Sequence, residues 1–156
     1  MGKIVTQNEI IKIVQEGHKN GKTFVVTNGC FDILHIGHAR YLNETKKFAD
    51  FSIILLNSDK SVKAIKGKNR PINNENDRAE LLTFLNCVDY VVLFEEKSPA
   101  GLLEKIKPDV YTKGADYSLD TLPERDVVLK NNIEVKFIKF VDGKSTTNLI
   151  NKINKQ

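Results

Sequence analysis

Cysteine is scarce in this chain. Cys30 and Cys87 are the two present among 156 residues, too few for a disulfide framework, so a reducing, cytoplasmic setting is the expectation. Long apolar runs are missing as well. FSIILL at residues 51–56 falls far short of the roughly 20 residues that span a bilayer, and no membrane partner is expected. The opening MGKIVTQNEI is polar and leads into an amphipathic segment, so it does not read as a signal peptide. Arginine is sparse: Arg40, Arg70, Arg78 and Arg125 leave lysine as the main source of the net charge of +4. No dense basic tract with interleaved aromatics occurs, which argues against nucleic acid and suits an anionic small molecule. Repeats, low-complexity tracts and linkers are absent. The chain is most simply one domain over residues 1–156, with a leading helical segment over 1–21. Hydrophobic residues at 40% and charged residues at 28% are ordinary for a globular protein and argue against disorder.

What the chain does carry is an alternation of strand-like and helix-like segments. Residues 8–18 read as a helix, with Ile10, Ile11, Ile13 and Val14 as its apolar stripe. TFVVTN (23–28) reads as a β-branched strand, and HARYLNETKKFAD (38–50) as a helix with Tyr41, Leu42, Thr45 and Phe48 on one side. FSIILLN (51–57) is apolar throughout, as suits a strand covered on both faces. Residues 60–70 are lysine-rich with a weak pattern, expected as a loop or frayed helix. NENDRAELLTFLNC (74–87) is a helix capped by Asn74, VDYVVLF (88–94) a strand and SPAGLLEKIK (98–107) a helix. DVYT (109–112) and EVKFIKF (134–140) complete the strands, and STTNLINKI (145–153) closes as a helix. The alternation predicts an α/β, Rossmann-like parallel sheet of about five strands with helices on both faces. In such sheets ligands bind beyond the carboxyl ends of the strands.

Residues 29–38, GCFDILHIGH, fall at such an end. A metal site, a phosphate cradle and an ordinary loop are all open on residue type alone. Zinc needs three or four ligands at recognised spacings. His18, His35, His38, Cys30 and Cys87 show none of those spacings, and no metal ligands are assigned. A lone histidine is ordinarily a satisfied core or surface residue, but these two have company. His35 and His38 stand three apart near a helix start, so both project toward one spot. Gly37 removes a side chain where a ligand would approach, and the unpaired N–H groups and positive dipole end of the helix favour an anion. A phosphate cradle accounts for more of these residues than either rival.

The decapeptide resembles the H-x-G-H signature of the nucleotidyltransferase superfamily that includes cytidylyltransferases and pantetheine-phosphate adenylyltransferase. Class I aminoacyl-tRNA synthetases share it, but this chain has no room for their other domains and no K-M-S-K-S loop. TNGCFDILHIGHARYL, LNSDKSVKAIKGKNRPIN, VDYVVLFEE, KPDVYTKGADY and DGKSTTNLI follow the order and spacing of one family. Together they resemble the D-glycero-β-D-manno-heptose 1-phosphate adenylyltransferases, the nucleotidyltransferase half of bifunctional ADP-heptose synthases. The resemblance covers nearly the whole chain and does not include the sugar-kinase half, so a free-standing form is the expectation. It implies a nucleotidyltransferase fold, ATP with Mg²⁺, a sugar 1-phosphate as second substrate, and a homodimer. A cytidylyltransferase using CTP and a small ester such as glycerol 3-phosphate is the alternative, and a non-catalytic nucleotide-binding module is the second. Phe140, in FVDG, stands where glycerol-3-phosphate cytidylyltransferases have arginine, which favours ATP and heptose.

By that resemblance the reaction is attack of a sugar 1-phosphate oxygen on the α-phosphorus of ATP. Alignment and charge stabilisation carry it, with no covalent enzyme intermediate. His35, His38 and Lys66 are the expected catalytic residues. Cys30 and Phe31 set backbone against the nucleotide beside Gly37. Asp32 is divided evenly between a ligand role and organising its loop. Lys63, Lys68 and Arg70 are assigned to substrate phosphate, and a compact ammonium suits that contact. Arg78 reads equally well as a surface salt bridge. Gly114 and Asp116 of KGADY are nucleotide-contact candidates, with Ala115 where the family usually has a second glycine. Ser145, Thr146 and Thr147 open the last helix, where they both cap it and hydrogen-bond phosphate.

Overall fold

The strand-like runs find their hydrogen bonds in one another, and the amphipathic segments cover the sheet that results. The computed structural model describes residues 1–139 and 145–155. Its elements are β1 (Lys3–Ile4), α1 (Gln7–Lys19), β2 (Phe24–Gly29), α2 (Ile36–Lys46), β3 (Phe51–Asn57), α3 (Asp59–Lys66) and α4 (Glu75–Thr83). They continue as β4 (Tyr90–Phe94), α5 (Ala100–Ile106), β5 (Val110–Gly114), α6 (Arg125–Lys130), β6 (Glu134–Ile138) and α7 (Thr146–Asn154). Among the described residues the sheet has six strands in the order β1-β4-β3-β2-β5-β6, every pair parallel. From β2 the chain moves outward through β3 to β4, then crosses back to β5 on the other side. The crevice above the end of β2 is therefore the topological switch point, where open α/β sheets bind ligands.

The unbroken apolar run of β3 has its reason in two covered faces. Ile53 and Leu55 pack with Ile10 and Val14 of α1, Leu102 and Leu103 of α5, and Val128 of α6. Ile54 and Leu56 point the other way, toward Leu42 of α2 and Ala79 and Leu82 of α4. Each such fully buried side chain contributes roughly 1.5–3 kcal/mol. Polar groups fix α2 more narrowly. Tyr41 Oη lies 2.8 Å from Thr27 Oγ1 on β2 and donates to Thr112 Oγ1 on β5 at 3.3 Å, and Thr45 Oγ1 lies 3.0 Å from Thr112 Oγ1. These buried bonds set the helix, and hence its first turn, against the crevice.

Three elements depart from the sequence reading. The sixth strand is β1, two residues that pair Lys3 with Tyr90 and Ile4 with Val91, too short to show alternation. The stretch 60–70, expected as loop or frayed helix, is helical through Lys66 as part of α3, with Ser58 accepting from the Ser61 N–H. Only Ser61 and Val62 of that helix are buried, so its apolar period is faint. Helix α6 was unassigned, and its single buried residue, Val128, leaves little periodic signal. Phe140 lies outside the described residues. No described helix is long and apolar enough to cross a membrane.

Candidate active site

The loop after β2 is built around close approach. A Cβ on Gly29 would meet Phe31 Cε2 at 2.8 Å, so only glycine lets that ring lie against the strand end. Phe31 itself has φ 43, a left-handed conformation unusual for a bulky residue, and it is buried. The turn delivers the chain to α2, whose N-cap is His35 in an extended conformation; its Nδ1 accepts the Gly37 N–H at 3.1 Å. In the neutral ring that assignment leaves the proton on Nε2 as a donor. His38 stacks on His35 with ring centroids 3.8 Å apart, and Phe31 meets His38 edge-on at 5.3 Å. His38 Nδ1 is buried with no hydrogen-bond partner among the described residues. Burial, then the charge of His35, lowers the His38 pKa to about 4, against a smaller opposing contribution from the Ile33 backbone. At neutral pH His38 is an uncharged imidazole.

A second helix opens on the same place. Ser145 caps α7 by accepting the Asn148 N–H at 3.0 Å, and Thr146 Oγ1 donates to Ile33 O at 3.1 Å. That bond ties the start of α7 to the histidine loop, so two helix N-termini and two imidazoles converge. Positive dipole ends and unpaired N–H groups suit a polyanion.

The rim is held by buried ion pairs. Asp32, 2% exposed, accepts from Ile72 N at 2.8 Å, Asn73 N at 2.9 Å and Arg70 Nε at 2.7 Å. Burial alone would raise its pKa, but these amide bonds and Arg70 outweigh burial and lower it. These bonds have Asp32 organising the loop, and its side of the loop also faces the cavity. Arg78 is a correction: it is 1% exposed, not a surface residue. Its Nη1 donates to Cys30 O at 2.6 Å and Asn57 O at 2.8 Å, Nη2 to Asp59 Oδ1 at 2.8 Å, and Nε to Asn73 O at 3.0 Å. One guanidinium thus joins the ends of β2 and β3 to the start of α4. Burial pushes the Cys30 thiol up, more than Lys66, Arg78 and Arg70 bring it down, so it stays protonated rather than serving as a nucleophile.

These groups surround a cavity of about 600 Å³, the size of a ligand pocket. Of the residues expected from sequence, Cys30, Phe31, Asp32, His35 and His38 line it. So do Lys66, Arg70, Gly114, Asp116 and the Ser145–Thr147 turn. Lys63 and Lys68 are not on its wall. Lys63 lies a turn back along α3, and Lys68 follows Gly67, whose φ of 100 carries the chain out of the helix. Gly37 is also off the wall: it is buried in the first turn and its N–H donates to His35 Nδ1. Ala115 is not among the positive-φ residues and its N–H donates to Ile138 O at 2.9 Å, so alanine is accommodated there.

The sequence reading missed Asn28, Lys113, Ser98 and Glu124, all on the cavity wall. Asn28 and Lys113 stand at the carboxyl ends of adjacent strands β2 and β5, a position that was available as a signal. Glu124 belongs to no motif. Among the described residues no group of three or more His, Cys, Asp or Glu could hold a metal ion. The carboxylates on the cavity wall are those of Asp32, Asp116 and Glu124, and that of Asp32 is already taken by Arg70 and two backbone amides.

Residues 26–152 match the cytidylyltransferase-like family. The bifunctional protein HldE of Campylobacter fetus subsp. fetus is 50% identical over 151 residues, 97% of this chain and 31% of that protein. Its counterpart in Aliarcobacter butzleri is 51% identical over 150 residues, 96% of this chain and 31% of that protein. The chain thus spans 31% of the length of these curated relatives. Among solved structures, a lipopolysaccharide core biosynthesis protein from Thermoplasma volcanium aligns with a TM-score of 0.62 at 34% identity, covering 80% of this chain and 100% of that one.

Proposed function

Because the chain belongs to the cytidylyltransferase-like family, we propose that it transfers the adenylyl group of ATP to D-glycero-D-manno-heptose 1-phosphate, giving ADP-heptose and pyrophosphate for surface-glycan and lipopolysaccharide precursors. The observation that carries this is the stacked His35–His38 pair at the opening turn of α2, facing a cavity that α7 also opens on. The extent of identity to the HldE proteins and the name of the Thermoplasma relative support the choice of acceptor.

In this reading a phosphate oxygen of the acceptor attacks the α-phosphorus, the bond to the bridging α–β oxygen breaks, and pyrophosphate leaves with the charge. His35, with Nε2–H as donor, and His38 hydrogen-bond the phosphoryl oxygens as charge shifts onto the leaving group. The helix N-termini hold the triphosphate without needing a charged imidazole. Lys66 and Arg70 supply positive charge from the α3 side. Bound with ATP, Mg²⁺ offsets triphosphate charge. The reading includes a cytoplasmic location, where ATP is available and both cysteines persist as thiols. It includes a homodimer, tested by sedimentation for twice the chain mass.

Pyrophosphate release across four pairs, ATP or CTP with heptose 1-phosphate or glycerol 3-phosphate, tests the reading. Turnover with ATP and heptose 1-phosphate alone is expected. Turnover with CTP and glycerol 3-phosphate would instead establish the cytidylyltransferase, and silence across all pairs a non-catalytic nucleotide-binding module.

A further inference from the structure

Across the crest of the sheet from the histidines, a second polar cluster lines the same cavity. Ser98 precedes α5 and Glu124 precedes α6, helices on the face opposite α2. Glu124 is 2% exposed, and Ser98 Oγ donates to its Oε1 at 2.9 Å. Its Oε2 makes no hydrogen bond to any described residue. Lys113 Nζ stands 3.7 Å from that oxygen, balancing its charge from beyond hydrogen-bond range. Lys113 is itself anchored by Asn28 Oδ1 at 2.8 Å and Tyr111 Oη at 3.2 Å. Tyr111 Oη donates to the same Asn28 oxygen at 2.6 Å. With that oxygen taking two donors, the Asn28 amide NH₂ is left to donate.

A buried carboxylate oxygen without a donor is costly, and one that lines a cavity marks where a ligand hydrogen belongs. Resting on the adenylyl-transfer reading, we infer that Glu124, Asn28 and Lys113 form the subsite that recognises the hydroxyl groups of the polyol acceptor. Glu124 Oε2 accepts from one hydroxyl, while the Asn28 amide and the Lys113 ammonium donate to a neighbouring oxygen. A hydroxyl both gives and receives, so vicinal hydroxyls match an acceptor set beside donors. A nucleobase amino group is the rival occupant. Pro123 and the Tyr117 ring on the same wall would cover a base, whereas the groups bonded to Glu124 and Lys113 are a hydroxyl, an amide and a phenol oxygen.

Calorimetry on the full chain separates the two, with ATP and heptose 1-phosphate titrated independently into wild type and Glu124→Gln. Acceptor affinity is expected to fall about 10- to 100-fold while ATP affinity stays within about twofold. Ser98→Ala, which unhooks Oε1 alone, is expected to weaken the acceptor about 3- to 10-fold, and it carries the test if melting curves show Glu124→Gln misfolded. Unchanged acceptor affinity, or a loss confined to ATP, overturns the inference. If wild type binds glycerol 3-phosphate in place of heptose 1-phosphate, the heptose reading fails while the subsite is judged on that acceptor. A wild type that binds no polyol phosphate overturns the subsite. One that binds the acceptor without releasing pyrophosphate contradicts the catalytic reading alone.

Discussion

His38 is the residue whose chemistry is most unusual. Its imidazole stays neutral in the folded protein down to about pH 4 but protonates below about 6.5 once exposed. Between those values the unfolded chain binds more protons than the folded one. Stability contributed by this group is therefore full above about 6.5, lost as pH falls toward 4, and level below that. Urea melts across this window should show the slope in wild type and a shallower one in His38→Ala. Turnover in His38→Ala should fall about 10²- to 10³-fold with the melting temperature nearly unchanged at neutral pH. Near-native turnover would remove the residue from the mechanism. The lysines divide by position: Lys66→Ala is expected to cost at least about tenfold in kcat/KM, and Lys63→Ala less than about threefold, since only the former lines the cavity. Equal losses in steady-state assays would contradict that division. From sequence, Lys66 is preferred over Lys63 and Lys68, but which of the three meets the cavity depends on where α3 ends. That end is set by Gly67, legible as a glycine but not as a helix terminus within a lysine-rich run.

At the scale of elements, the site depends on how strand ends are joined to helix starts. Arg78 joins three of them, and Arg78→Met leaves the carbonyls of Cys30, Asn57 and Asn73 without their donor. The expected loss is about 3–5 kcal/mol in urea unfolding; a loss below about 1 kcal/mol would show that the clamp is dispensable. The Asn74 cap of the same helix was legible because Asn followed by acids is a local signal, and the Asn74 side chain does accept the Asp77 N–H at 3.0 Å. Arg78, four residues on, was not. Its burial follows from three loops closing over it, and early-helix arginine beside acids looks the same on a surface. The polar ties of α2 behave likewise: Tyr41 reads as part of an apolar stripe, yet its hydroxyl meets Thr27 and Thr112. Tyr41→Phe should cost about 1 kcal/mol and loosen the turn that carries both histidines, visible as a lower melting temperature.

For the whole molecule, the alternation of periods was enough to give a parallel sheet, because β3 is apolar on both faces and strand–helix order leaves few topologies. The place of the cavity followed, since GCFDILHIGH ends the strand that proves to be the switch point. The far wall of the cavity did not follow. Glu124 and Ser98 come from loops distant in sequence, and nothing local marks them before the sheet brings them together. A crystal structure with Mg²⁺ and a non-hydrolysable ATP analogue tests the central claim most directly. The account predicts a triphosphate within hydrogen-bond reach of His35 and His38 and of the first amides of α7. A triphosphate bound elsewhere, with those rings untouched or chelating a transition metal, would contradict it.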